Sequence, residues 1–314
     1  MSKFRIEDEA ALLRTIPPSI SLAAKIGVGS ALLILVLMRV PLDGALVAFS
    51  QLRPVDVALA VVLYFAAHGV NALKLRLLLP QLSVRQALRF TMIAVLYGTA
   101  LPGQLAGDAV KAFRLTRAAS RAGDVSATIS AVTIDKVLGL FALLALTAVG
   151  LGLDAAVFGA SAVKVVGIGL TAFIILLALV VAAPVPAFLQ KWTVKFSAWR
   201  RLTLRPSTLL QSLLLGVVFQ GLSIIVFAVL GTALGLELSI ASWAVVVGLV
   251  SVVLLLPVTI AGVGLRDGSL VGLIALLGQS QSAALALSLT LLALNILGAA
   301  VGLLADLAGN DQDA

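Results

Sequence analysis

Seven charged side chains lie where an otherwise apolar chain has little room for charge: Asp108, Lys111 and Arg114, then Asp135 and Lys136, then Arg266 and Asp267. Ionisable groups within apolar runs are costly, and in membrane proteins they usually mark a functional path. Asp108, Lys111 and Arg114 recur at three-residue spacing, roughly on one helix face, just after Pro102 and Gly103. Such cations could hold an anionic group such as a phosphate, with Arg117 and Arg121 continuing toward the cytoplasm. The plainer alternative is a basic cytoplasmic loop with no ligand. Asp135 and Lys136 are adjacent, so on a helix they point about 100° apart and cannot pair well with each other. Each needs a partner from another segment: Asp135 with Lys111 or Arg266, and Lys136 with Asp108 or Asp267. A purely structural buried ion pair is the alternative there.

Most other chemistries are excluded by residue type. With no cysteine in 314 residues, disulfides, thiolate metal sites and cysteine nucleophiles are impossible. The single histidine, His68, leaves no cluster for zinc or haem, and no metal or cofactor is expected. His68 shares a helical face with Tyr64 and Asn71, with Lys74 just beyond. That stripe could line a cavity or simply bond neighbouring helices, which is common in membranes. Gln220 and Asn295 are read in the second way. Gly262 and Gly264 form a G-x-G beside a helix break, but no strand and no following acidic residue supports a dinucleotide fold. They are expected to supply a positive-φ turn or a close backbone approach.

The elements that must position these residues follow from composition. Hydrophobic residues make up 61% of the chain and charged ones 11%, against about 25% charged in a soluble domain. A water-soluble surface cannot be built from that, so the chain reads as an all-α polytopic membrane protein. The formal charge of +8 is dispersed between apolar runs without an aromatic-interleaved basic module, which argues against nucleic-acid binding. Residues 1–21 are polar and end at Pro17-Pro18 with no cleavable signal, so they are expected to lie along the cytoplasmic surface. Apolar runs follow at about 22–38, 55–79, 86–101, 125–150, 158–183, 207–234, 241–257 and 281–307. The piece from Gly268 to Gly278 is too short for a bilayer that needs about 20 residues.

Lys and Arg concentrate in cytoplasmic loops. A full crossing by run 86–101 would strand Lys111, Arg114, Arg117 and Arg121 outside. A re-entrant hairpin broken at Pro102-Gly103 avoids this, and a second, from the outer side, fits residues 241–278. Both termini, including the tail 309–314, are then cytoplasmic. Between these parts, Phe188, Trp192, Phe196 and Trp199 recur at helical spacing among lysines and arginines. An interfacial helix over about 187–205 is expected, a basic loop with aromatic anchors being the alternative. The G-x-x-x-G pairs Gly231/Gly235 and Gly298/Gly302 predict close helix packing.

An internal repeat underlies this plan. Leu101-Pro102 to Ala106-Gly107 to Lys111 and Leu256-Pro257 to Ala261-Gly262 to Arg266 share one pattern, L-P-x-x-x-A-G-x-x-x-[K/R]. The offset is constant, near half the chain length. Repeat 1 is placed at about 22–153 and repeat 2 at about 154–308, within one transmembrane domain. Each half holds three spans and one re-entrant hairpin, and an odd number of crossings inverts the second half. Inverted repeats whose broken helices meet near the midplane are a recurrent transporter plan. The breaks at Pro102, Gly103, Gly107, Pro257, Gly262 and Gly264 expose backbone groups that hydrocarbon cannot satisfy.

Three motifs, in order, carry a family resemblance over about 22–308. Pro102 through Gly107-Asp108, Lys111 and Arg114-Leu115 resembles the P-x-x-x-G-G-D-x-x-R-x-x-x-L signature of the transmembrane region of lysylphosphatidylglycerol synthases, also called flippase-like membrane proteins. Asp135-Lys136-x-x-Gly139 is similar to that family's D-R-x-x-G element, and Gly262 through Arg266-Asp267-Gly268 to its G-x-G-x-R-E-G element. Lys111 and Lys136 stand where arginine is usual, Ala106 replaces a glycine and Asp267 a glutamate. Lysine keeps the charge but loses the bidentate fork. The resemblance implies translocation of lipids or lipid-linked molecules across the bacterial cytoplasmic (inner) membrane. The soluble synthase domain has no counterpart in this sequence, so aminoacyl transfer and enzymatic activity are not expected.

The leading expectation is thus a flippase-like transporter moving an anionic lipid or lipid-linked molecule by alternating access. Its binding residues would be Asp108, Lys111, Arg114, Asp135, Lys136, Arg266 and Asp267, with His68 and Asn71 secondary. The alternative is a membrane-embedded accessory subunit or enzyme of glycolipid or polyprenyl-linked lipid synthesis, working beside a glycosyltransferase or lipid-synthesis enzyme.

Overall fold

The computed structural model describes residues 38, 42–101, 105–122, 125–182, 206–255 and 262–308. The N-terminal segment 1–21, nearly all of the first run at 22–38, the interfacial segment 187–205, the tail 309–314 and the breaks at Pro102, Gly103 and Pro257 lie outside them. Ten helices are described: α1 (Leu42–Ser50), α2 (Pro54–Leu78), α3 (Val84–Ala100), α4 (Leu105–Ala122), α5 (Val125–Leu153), α6 (Ala155–Ala182), α7 (Pro206–Ala233), α8 (Ile240–Val253), α9 (Leu265–Leu276) and α10 (Gln281–Leu307). Among the described residues there is no strand.

Local chemistry explains where these helices start and stop. Proline opens α2 and α7, at a position whose N–H would have no intrahelical partner. Ser83 caps α3 reciprocally: its hydroxyl accepts from the Gln86 N–H at 3.2 Å, and the Gln86 side chain accepts from the Ser83 N–H at 2.9 Å. Ser239 and Ser280 cap α8 and α10, accepting from the N–H groups of Ser242 and Ala283. Helix α7 ends in a left-handed residue, Gly235 at φ +82°, and the Leu236 N–H closes back on the Gly231 carbonyl at 2.9 Å. This corrects the reading of Gly231/Gly235 as one packing pair. Gly231 does pack, against the Trp243 ring, but Gly235 is there for its backbone. Gly298 and Gly302 pack as expected, under Tyr64 and against the backbone of Met92.

Among the described residues, four helices are long and apolar enough to cross a bilayer: α2, most of α5 (Thr128–Leu153), α7 and α10. Large apolar side chains stay exposed along them, among them Val62, Leu214, Val149 and Leu304. Such faces belong against lipid rather than water. The chain is a multi-pass helical membrane protein. Helix α8, with 14 residues, and α9, with 12, are too short to span and pack on each other as a hairpin. Its two outer ends meet, because the Glu237 N–H donates to the Gln279 side chain at 3.0 Å. Helices α3 and α4 also pack together, with Gly107 against the Ala94 carbonyl, where a Cβ would collide with backbone. Helix α1 occupies part of the expected outer loop 39–54 and rests on α10.

Moved 155 positions along the chain, α2, α3, α4 and α5 fall on α7, α8, α9 and α10 to within about five residues at each end. The packing partners exchange in the same way: α3 lies on α10, α5 lies on α8, and α2 lies on α7. The larger apolar core forms where these elements converge, around the fully buried Trp243, Leu230, Leu270, Leu285 and Leu287.

Candidate functional site

The first charged group is built from three helices. From α4, Asp108 and Lys111 stand one turn apart, and the Lys111 ammonium lies 3.2 Å from the Asp108 carboxylate. From α5, Asp135 reaches the same ammonium at 3.5 Å, while Lys136, turned to the side, bonds Asp108. These are the partners expected for Asp135 and Lys136 from one of the two alternatives each; the other candidates, Arg266 and Asp267, go elsewhere. From α2 comes a residue the spacing argument did not place in the site. Lys74 lies 3.1 Å from the Asp135 carboxylate and donates at 2.7 Å to the Asp135 main-chain carbonyl. The continuing face of Tyr64, His68 and Asn71 was the sequence signal that pointed at it.

Two glycines lie beside Lys74, one of them closely. At Gly139 a Cβ would stand 3.2 Å from its ammonium nitrogen, and at Gly216, on α7, one would touch its stem. Gly139, in the Asp135-Lys136-x-x-Gly139 element, thus lets the Lys74 ammonium lie close against α5. Lys74, Lys111 and Asp135 are all at least nine-tenths buried, whereas Lys136 is 44% exposed and Asp108 27% exposed by side chain. The cluster therefore has a sealed inner end and an open outer end. Three lysines face two aspartates, so one positive charge is uncompensated among these five. Burying such an excess is unfavourable unless an anion joins it.

Arg114 does not continue this track. Its guanidinium pairs with Asp306 in the last turn of α10 and donates to the Tyr97 hydroxyl at 3.0 Å, with Tyr97 also bonding Asp306. Its charge is compensated within the chain, and the partner, 192 positions away, carries no local sequence signal. The side chains of Arg117 and Arg121 are outside the described residues.

The second charged group, Arg266 and Asp267, stands at the start of α9. Gly262 and Gly264 take φ of +73° and +79°, which an L side chain rarely adopts, and so turn the chain into the helix. One carboxylate oxygen of Asp267 accepts from the Gly264 N–H at 2.7 Å and caps α9. The other accepts from the Ser288 hydroxyl of α10, which receives the Arg266 Nε at 3.1 Å. The guanidinium lies 3.6 Å from its neighbour's carboxylate. Both residues are buried, and their charges cancel. Thus the seven predicted residues divide into a cationic cluster, a closed neutral pair and Arg114.

The secondary candidates, His68 and Asn71, make no hydrogen bond to either charged group among the described residues. His68 stacks edge-on with Tyr64 at 4.5 Å and faces Phe219, and its buried Nδ1 has no hydrogen-bond partner. Tyr64 bonds Asn295 across to α10 at 3.2 Å, and Gln220 bonds the Gly139 carbonyl of α5. Asn71 is half-buried and joins neither charged group. Among the described residues no three His, Asp or Glu side chains gather as metal ligands would.

Residues 22–302 match the family described as the lysylphosphatidylglycerol synthase TM region. The match covers most of the chain, so the chain belongs to that family, which is a membrane, lipid-related one. No curated protein matches it closely enough to add a more specific relative.

Proposed function

We propose, from membership in this family, that the chain is a flippase-like transporter for an anionic lipid or lipid-linked molecule, with no cofactor and no covalent chemistry of its own. The observation that carries this reading is the cluster of Lys74, Lys111 and Lys136 around Asp108 and Asp135. Its surplus charge is available at the end where Lys136 and Asp108 meet solvent or headgroup. A phosphate arriving there takes the place of water around Lys136 and supplies the missing negative charge to the buried lysines. The lipid-facing helices leave the tails in hydrocarbon while the headgroup enters protein.

The two halves are proposed to be inverted repeats, each with a re-entrant hairpin: α3–α4 from the cytoplasm and α8–α9 from the outside. The supporting facts are the shared offset of four helix pairs, the exchanged packing partners, and the shortness of α8 and α9. Rocking of one half against the other would open the cluster alternately to the two faces of a bacterial inner membrane, with both termini cytoplasmic. The pair Arg266–Asp267, already neutral, would hold the outer hairpin in shape through Ser288.

The test is transbilayer movement of labelled lipids in proteoliposomes against protein-free vesicles, across anionic and glycosylated headgroups. Movement of an anionic lipid that falls at least tenfold in Lys136→Gln, with the protein still folded, is the expected result. No movement above protein-free vesicles for any headgroup would sink the proposal.

A further inference from the structure

We infer that the protein carries a separate, fixed binding site for one anionic phospholipid of the surrounding bilayer, in the groove between α2 and α7, with Arg76 as the phosphate ligand. The groove has a volume of about 590 Å³, within the usual range for small-ligand sites. Leu73 and Leu77 from α2, with Pro80 from the turn after it, face Leu214 and Leu215 from α7 across it, and Arg76 and Gln211 supply its polar groups. Leu73 and Leu214 are about half exposed, so the walls are lipid-facing rather than part of a core.

Arg76 identifies the occupant. It is exposed, two residues from the last residue of α2, and among the described residues it makes no hydrogen bond or ion pair. Lys74, two positions earlier, is already committed: it turns inward to Asp135. A free guanidinium above an apolar trough matches a phosphodiester above an acyl chain. Two parallel N–H donors fit two phosphate oxygens, and Gln211 can accept or donate to the glycerol. A zwitterionic lipid would bring a second cation toward Arg76, so the site selects net negative headgroups. This site lies on the outer face of α2, whereas Lys74 lies on the inner face, so the two sites are independent even though one helix serves both.

Native mass spectrometry of the purified full chain, with phosphatidylglycerol and phosphatidylcholine of identical acyl chains, tests this. One tightly held phosphatidylglycerol, preferred several-fold over phosphatidylcholine, is expected. Arg76→Gln should abolish the preference while the lipid-transport assay and thermal stability stay unchanged, because Arg76 makes no hydrogen bond or ion pair among the described residues. Leu214→Trp, which fills the trough, should release the lipid without touching any charge. Equal retention of both lipids overturns the inference, as does a preference that survives Arg76→Gln. A preference lost in Lys136→Gln but kept in Arg76→Gln would likewise overturn it and would place the lipid at the transport cluster instead. Conversely, loss of transport with retained Arg76-dependent binding would count against the proposed function alone.

Discussion

Replacing Asp135 by asparagine removes the one carboxylate shared by two buried lysines. Lys74 lies 3.1 Å from it and Lys111 3.5 Å, and both ammonium groups are almost wholly excluded from solvent. The five-residue cluster would then hold three lysines and one aspartate, raising its excess from one positive charge to two. At an effective dielectric near 20, each of these contacts is worth about 5 kcal/mol of attraction before desolvation is subtracted. Breaking a buried pair by removing one partner costs about 3–5 kcal/mol, because the other charge stays buried. At about 2 °C per kcal/mol for a chain this large, Tm should fall by roughly 6–10 °C. Intrinsic fluorescence of the three tryptophans in detergent would follow the unfolding. Lys74→Met should be milder, since Asp135 keeps Lys111. The double variant should recover part of the loss, because it restores a single excess charge. An Asp135→Asn variant within 2 °C of the parent would show that Asp135 does not hold the two lysines, as would a double variant no better than the sum of the singles.

Gly107→Ala would drive a methyl group into the Ala94 carbonyl, so α3 and α4 must separate, at a cost of about 1–3 kcal/mol or more; increased protease cleavage in the hairpin is the readout. Asp154, in the turn between α5 and α6, accepts hydrogen bonds from the Ser239 and Ser242 hydroxyls, and these hold its carboxyl below the usual carboxylate range. A depressed folded-state pKa contributes stability above the unfolded value and loses it as pH falls through the folded one. Acid titration of Tm should therefore be shallower in Asp154→Asn than in the parent, and identical slopes would count against the contact. Because the chain has no native cysteine, topology can be read directly. Gln81→Cys should react with an impermeant maleimide from the cytoplasm and Glu237→Cys from outside, and reaction of both from one side would break the inverted plan.

Much of the fold is legible in the order of the residues. The membrane class follows from composition, since a chain this apolar has nothing to put against water. The long helices follow from uninterrupted apolar runs, and their starts from Ser83, Ser239, Ser280 and two prolines, all of which act within a turn of where they stand. The hairpin of α8 and α9 follows from length alone. The charged residues themselves stand out because each is expensive where it lies.

Partnership among those residues is a different kind of fact. Periodicity says which face of a helix a side chain occupies, but not which helix that face meets or how far the two are rotated and shifted. Lys74 enters the cluster from 61 positions away because α2 packs on α5, with Gly139 leaving space for its ammonium. Arg114, on the same helix as Lys111, is drawn off by Asp306, and Arg266 is neutralised beside its own neighbour through Ser288. Gly235, spaced like a packing glycine, instead closes a helix end. Residue order alone shows that charges are buried and beside which glycines and prolines they stand. That three lysines share two aspartates while Arg114 and Arg266 are spent within the fold emerged from helix packing, since a net charge belongs to a neighbourhood and packing makes the neighbourhoods here.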